Sequence, residues 1–228
     1  MNYIPVALPI YWLLAGLLLA LVVLIQIEAL RFAYLQLGIS ASAAFLLLLA
    51  SLLGSYINIP VWEFPEKEII SGREVSFYGM RYVVPVVVDW PSTIIAVNLG
   101  GAIIPALLSL YLLAKNSLWV RGSFATLVVA AVCHVLATPV AGLGIAIPTF
   151  IPPLVTVASA LLISPANAAA TAYVAGSLGT LIGADLLNIA KVQGLGAPIV
   201  SIGGAGTFDG IFVTGILSVL LASLTGRR

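Results

Sequence analysis

Long apolar runs separated by short polar breaks dominate the chain, and each run predicts a membrane helix because about 20 apolar residues span a bilayer. The predicted helices are Ile10 to Leu30, Ile39 to Ile57, Ser92 to Leu113, Phe124 to Val140, Ala168 to Ala190 and Phe208 to Leu224. A further element, Gly142 to Ser164, contains three prolines before a short apolar stretch. We expect it either to cross as a short fifth helix or to re-enter on the same side.

The segment from Val61 to Trp90 is the long polar break, and it carries four of the glutamates. Within it, residues 75–78 and 81–84 are rich in β-forming side chains and flank Gly79-Met80. Glycine in the first turn position is typical of a two-residue hairpin turn. The pattern predicts a β-hairpin in an extracytoplasmic loop, its aromatic residues lying on the headgroup layer.

Composition strengthens the membrane interpretation. Of 228 residues, 62% are hydrophobic and 7% are charged, against roughly 25% charged in soluble domains. We therefore predict an all-α membrane protein of about seven transmembrane helices, with residues 1–228 forming one polytopic domain. The net charge of +1 gives no indication of nucleic-acid binding, which requires clustered Lys and Arg. With one cysteine, Cys133, and one histidine, His134, we predict neither a metal site nor a cofactor.

The basic residues indicate an orientation. With seven crossings and an external N-terminus, most basic residues near helix ends fall on the cytoplasmic side: Arg31, Lys115, Arg121, Arg227 and Arg228. Lys191 is then the exception, in a short outer loop. The positive-inside rule predicts a plasma-membrane protein with an external N-terminus and a cytoplasmic C-terminus.

Asp185 and Asp209 are the candidate catalytic residues. A charge in the bilayer is costly, and the predicted spans offer no Lys or Arg as a partner for either aspartate. Both carboxylates lie at similar depth on consecutive antiparallel helices. Asn188, one turn beyond Asp185, and Asn98 in the third predicted helix fall near the same level, so we expect these polar groups to form one site.

Two glycine-rich segments complete the predicted site. Gly203, Gly204 and Gly206 precede Asp209, and Gly100-Gly101 follow Asn98. Glycines permit positive φ and expose backbone amides, and irregular backbone at membrane depth occurs inside protein or beside water. We predict that these glycines bind substrate, the alternative being close helix packing.

Four segments of the chain carry a family resemblance. They are residues 54–60, 98–105, 179–188 and 201–212, and they resemble a family of bacterial and archaeal membrane proteins of unknown function. A weaker similarity is to intramembrane aspartyl proteases such as presenilin and the prepilin peptidases. These carry one Asp on each of two helices, the second in a Gly-x-Gly-Asp motif, to which Asp185 and Asp209 would correspond. Here two residues separate Gly206 from Asp209, and no Tyr precedes Asp185.

Three functions remain open from these residues. In a hydrolase, Asp185 and Asp209 would activate water against a peptide bond of a membrane peptide. In a small secondary transporter, the same aspartates and the two broken Gly-Gly helices would bind a solute and a coupling ion, and the short chain would then work as a homodimer. In a scaffold, the aspartates would only hydrogen-bond neighbouring helices.

Overall fold

A computed structural model of the protein describes residues 8–65, 67–77, 80–90, 92–140, 144–193, 198–204 and 209–225. The described chain is mostly helical, as predicted, and contains seven α-helices. They are α1 (Leu8–Gln36), α2 (Ala41–Gly54), α3 (Ile104–Lys115), α4 (Trp119–Leu136), α5 (Ile151–Ile163), α6 (Ala168–Thr180) and α7 (Gly210–Thr225).

Within the part of the chain that the structure describes, three helical segments are long and apolar enough to cross a membrane: Gly16–Gln36, Trp119–Leu136 and Pro165–Val192. The other apolar helices are shorter, between 10 and 17 residues. The proline-rich fifth element becomes α5, which begins with Pro152 and Pro153 in its first turn, where the missing N–H groups cost nothing. Its 13 residues fall short of one straight crossing.

A small β component accompanies the helices, and it extends beyond the single hairpin that the sequence predicts. The described residues form seven strands: β1 (Asn58–Phe64), β2 (Lys67–Phe77), β3 (Met80–Trp90), β4 (Thr93–Asn98), β5 (Thr138–Val140), β6 (Gly144–Ala146) and β7 (Ile199–Ile202). Strand β4 is central in a three-stranded sheet, antiparallel to β1 and parallel to β7. Strands β5 and β6 form a separate short antiparallel pair.

The predicted hairpin is present and longer than expected, because β2 and β3 pair over eleven residues each. Its turn differs from the prediction. Phe77 pairs with Met80, so the two connecting residues are 78–79 rather than Gly79-Met80. The turn itself lies outside the described residues.

Several predicted helices differ from the structure at their ends, and the last residues of the fourth form strand β5 (Thr138–Val140). Two others change their secondary structure within the predicted span. The third predicted helix, from Ser92, begins instead as strand β4, continues through a π-helical turn (Leu99–Ile103) and becomes α3 only at Ile104. The helix from Ala168 to Ala190 is α-helical only to Thr180, then π-helical (Leu181–Asp185), then 3-10 helical (Leu186–Val192). Short apolar runs such as Thr93–Val97 do not distinguish a buried strand from a helix by periodicity.

Helix α6 lies at the centre of the bundle, and nearly all its residues are buried. It packs against α3, α4, α5 and α7. Small residues allow this close approach, as is usual between membrane helices. A Cβ at Gly179 would overlap Val129 of α4, and a Cβ at Gly176 would lie 3.2 Å from the Gly215 Cα of α7.

Gly183, in the π-helical turn after α6, provides a test of this packing. An added Cβ would overlap the backbone of Ala130 in α4, which cannot swing aside as a side chain can. We expect Gly183→Ala to destabilise the protein by about 1–3 kcal/mol, the usual cost of overpacking, measured as a lower thermal midpoint in detergent. The matched control is Gly16→Ala in α1, where an added Cβ meets nothing within 4 Å. Equal midpoints for the two variants would contradict the packing.

Candidate functional site

Asp185 and Asp209 line the same cavity, which has a volume of about 220 Å³. Asp185 is the last residue of the π-helical turn that follows α6, and Asp209 immediately precedes α7. Both side chains are partly buried. The structure therefore brings to one space two acidic residues that are 24 positions apart in the chain.

Backbone amides hold both carboxylates. The Gly203 N–H donates to Oδ2 of Asp185 at 3.0 Å, while the Asp209 carboxyl lies beside the amides of Gly210 and Ile211 at the start of α7. The positive end of a helix dipole favours an acidic group there. Asp185 Oδ1 makes no hydrogen bond with the part of the chain that the structure describes, so it is available to a ligand or water in the cavity.

The rest of the cavity wall combines hydroxyl groups with apolar side chains. Thr180 and Thr214 are almost fully buried, whereas Thr149 is exposed. Of the described residues that line the cavity, none is Lys, Arg or His. Among the described lining residues, no basic side chain therefore neutralises the two carboxylates.

Asn98 does not line this cavity, although the sequence groups it with the aspartates. It is the last residue of β4 and is fully buried. Its Oδ1 accepts from the Gly101 N–H at 2.7 Å, and its Nδ2 donates to the Ser55 carbonyl at 2.8 Å. Asn98 thus caps the π-helical turn and joins it to the end of α2.

Gly100 and Gly101 are packing positions, not part of the cavity wall. A Cβ at Gly100 would overlap the Ser51 carbonyl of α2, and a Cβ at Gly101 would overlap the Gly203 carbonyl. The alternative that these glycines serve close packing accounts for both positions. Substrate binding by their amides stays a prediction without a contact to support it.

Gly203 and Gly204 support the aspartates directly. Both have positive φ, +85° and +70°, which an L side chain rarely adopts. A Cβ at Gly204 would lie 2.5 Å from Cγ of Asp209, so the Gly204 backbone lies against that carboxyl group. Gly206, the third glycine of the predicted loop, lies outside the described residues.

Asn188 is buried beyond Asp185 and does not line the cavity. Its Nδ2 donates to the Gly183 and Ala184 carbonyls at 2.8 and 3.0 Å. These are carbonyls that the change from π-helix to 3-10 helix leaves open. Asn188 Oδ1 is buried with no partner in the described structure.

Asn58 and Ser201 also support the site, and the sequence analysis does not predict this role for either residue. Oδ1 of Asn58 accepts from Asn98 Nδ2 at 3.1 Å and from Ser201 Oγ at 2.6 Å, which ties β1, β4 and β7 together. The sequence contains a repeat that could have indicated this role. Residues 97–102 read Val-Asn-Leu-Gly-Gly-Ala and residues 200–205 read Val-Ser-Ile-Gly-Gly-Ala, so Asn98 and Ser201 occupy the same position of an internal repeat.

The donor set limits what the cavity can hold. Within the described ranges, no group of three or more His, Cys, Asp and Glu side chains could bind a metal ion. The cavity offers two carboxylates and three hydroxyls, which suit acid–base chemistry on water or weak binding of a hard monovalent cation.

Comparisons with known proteins give a family. Neither curated proteins nor solved structures yielded a match. A family model described as "Protein of unknown function (DUF1614)" matches residues 52–221, which include Asn98 and both aspartates. This range is most of the chain, and the protein belongs to the DUF1614 family.

Proposed function

We propose that the protein is a multi-pass protein of the plasma membrane, with an external N-terminus, an external β2–β3 hairpin and a cytoplasmic C-terminus. Three helices with the length and composition of membrane spans support this location. The basic residues Arg31, Lys115 and Arg121 lie near the α1 C-terminus, the α3 C-terminus and the α4 N-terminus. The positive-inside rule assigns that end to the cytoplasm.

Cysteine labelling tests the orientation. In a Cys133→Ala background, Ser71→Cys in β2 should react in intact cells with a thiol reagent that cannot cross the membrane. Asn116→Cys, between α3 and α4, should react only after lysis. Labelling of position 116 in intact cells, with position 71 labelled only after lysis, would reverse the proposed orientation.

For the activity, we propose an intramembrane aspartyl-type hydrolase that acts on a peptide bond. One observation carries the proposal: Asp185 and Asp209 line one cavity without a basic residue among its described lining. A salt bridge would explain buried carboxylates as structure, and none involves them in the described chain. Two carboxylates that share a site can divide the roles of general acid and general base.

The reaction would use water held between the carboxylates. One carboxylate accepts a proton from water as the water oxygen bonds to the peptide carbonyl carbon. The other, in its protonated form, donates to the carbonyl oxygen. As the C–N bond breaks, the carboxyl group that took the proton from water donates it to the leaving nitrogen. The hydroxyl of the tetrahedral intermediate returns its proton to the other carboxylate as the C=O bond re-forms. The Gly203 amide holds Asp185 Oδ2 and so orients Oδ1 for this exchange.

Asparagine substitutions test the hydrolase. Asp→Asn keeps the size of the side chain and removes the ionisable proton, so Asp185→Asn and Asp209→Asn should each reduce cleavage by on the order of 10⁴-fold or to background. The double variant should be no worse than either single variant, because the two groups act as one unit. The measurement is a proteomic comparison of membrane-peptide fragments between wild-type and variant cells.

The matched control for this experiment is Glu63→Gln, which removes a carboxylate from β1, away from the cavity. It should leave the fragments unchanged. Unchanged fragments in both aspartate variants, with expression and thermal midpoint normal, would reject the hydrolase.

A second candidate, ion-coupled transport by a homodimer, is favoured by a different observation. The segment carrying Asp185 changes from α- to π- to 3-10 helix, and transporters use such interrupted helices to bind ions. If the protein is a transporter, Asp185→Asn and Asp209→Asn should change the affinity for the coupling ion. The membrane-peptide fragments should then be the same in wild-type and variant cells. Binding of ²²Na⁺ to purified protein, or proton uptake into proteoliposomes, distinguishes the two functions.

A further inference from the structure

A second cavity, of about 420 Å³, lies at the end of the bundle away from the aspartates. It is formed where α1, α3 and α7 end and where α6 begins. This is the end near which Arg31 and Arg121 also lie. The cavity shares no lining residue with the aspartate cavity and plays no part in the activity proposed above.

Lys115 is the basic side chain among the described residues that line this second cavity. Its Nζ donates to the Gly38 carbonyl at 2.7 Å and lies 5.5 Å from the centre of the Tyr111 ring. Gly38 ends α1 with φ of +70°, and a Cβ there would lie 3.2 Å from Nζ. The missing side chain therefore leaves space for the ammonium group. Lysine has three N–H donors, so two remain for a ligand.

Amide side chains surround this charge. Gln36, Asn116 and Asn167 line the cavity, and Asn116 donates one Nδ2 hydrogen to the Leu112 carbonyl. Gln36 and Asn167 make no side-chain hydrogen bond with the described chain, although Asn167 precedes α6, where it could have capped the helix. No described Asp or Glu lines the cavity. Its free polar groups are thus suited to an anion.

The surroundings indicate a lipid as the source of that anion. Phe32, on the cavity wall, is 38% exposed, and Trp119, at the start of α4, is 52% exposed. Exposed aromatic rings beside basic residues are typical of the membrane interface. Basic pockets between helices at the cytoplasmic face bind anionic lipid headgroups.

We propose that this cavity binds the phosphate group of an anionic phospholipid, with Lys115 as the charged contact and Gln36 and Asn167 as neutral donors. The acyl chains lie against the apolar outer surface of the bundle. The site rests on a membrane location and does not depend on the hydrolase or the transporter.

Native mass spectrometry of the purified protein in detergent, titrated with phosphatidylglycerol or phosphatidylcholine, tests the site. Wild-type protein should retain one phosphatidylglycerol in preference to phosphatidylcholine. Lys115→Gln should weaken phosphatidylglycerol binding by about fivefold, the factor that corresponds to about 1 kcal/mol for a basic residue near an anionic surface. Asn167→Ala should also weaken it, while keeping the bond between Lys115 and Gly38.

The matched control is Lys191→Gln, which removes the lysine at the far end of the segment Pro165–Val192. It should bind phosphatidylglycerol as the wild type does. Equal binding of the two lipids, or equal losses in Lys115→Gln and Lys191→Gln, would overturn the proposal. So would displacement of the lipid by millimolar inorganic phosphate, which would identify a site for the free anion.

A lower thermal midpoint in Lys115→Gln, with lipid binding unchanged in both Lys115→Gln and Asn167→Ala, would assign Lys115 to capping of α1 alone.

Discussion

The segments that follow β4 and β7 touch each other backbone to backbone, and the positions of both aspartates depend on that contact. Gly100-Gly101 come shortly after strand β4 and Gly203-Gly204 directly after its parallel partner β7, and a Cβ at Gly101 would overlap the Gly203 carbonyl. Because neither glycine pair has side chains, the two backbones touch. This contact positions the Gly203 N–H to bind Asp185 and the Gly204 backbone against Asp209.

Irregular backbone inside an apolar bundle must find hydrogen-bond partners, because lipid provides none. Here carboxamides supply them. Asn98 binds the π-helical turn after β4, Asn188 binds the carbonyls where the α6 segment changes helix type, and Asn58 joins β4 to β7 through Asn98 and Ser201. A buried carboxamide provides these hydrogen bonds at a lower desolvation free energy than a buried charged side chain. The asparagines therefore stabilise the backbone around the site through hydrogen bonds, whereas the aspartates line the cavity.

The sequence predicts the mostly helical fold and the β2–β3 hairpin, since long apolar runs and β-forming residues around a glycine turn are strong local signals. It misses β4 and β7, because each is a short apolar run whose strand character depends on pairing with a distant partner. The sequence groups Asn98 with the aspartates for the same reason. Its predicted depth in the membrane assumes a helix from Ser92, where the structure has strand β4. Asp185 and Asp209 were expected in one place because a charge in an apolar run needs a shared polar environment, and they line one cavity.

The chain places opposite charges at opposite ends of α6. Its N-terminus faces the cavity with Lys115, whereas the turn after its C-terminus carries Asp185. The two cavities have no lining residue in common and are separated by a helix that is almost entirely buried against α4 and α7. Helix α7 also reaches both cavities, so a ligand on the lysine side could influence the aspartates through a movement of α6 or of α7. The tight contacts at Gly176 and Gly179 oppose such a movement, because neighbouring atoms lie where a Cβ would be. We therefore interpret the two cavities as independent sites on one rigid helix.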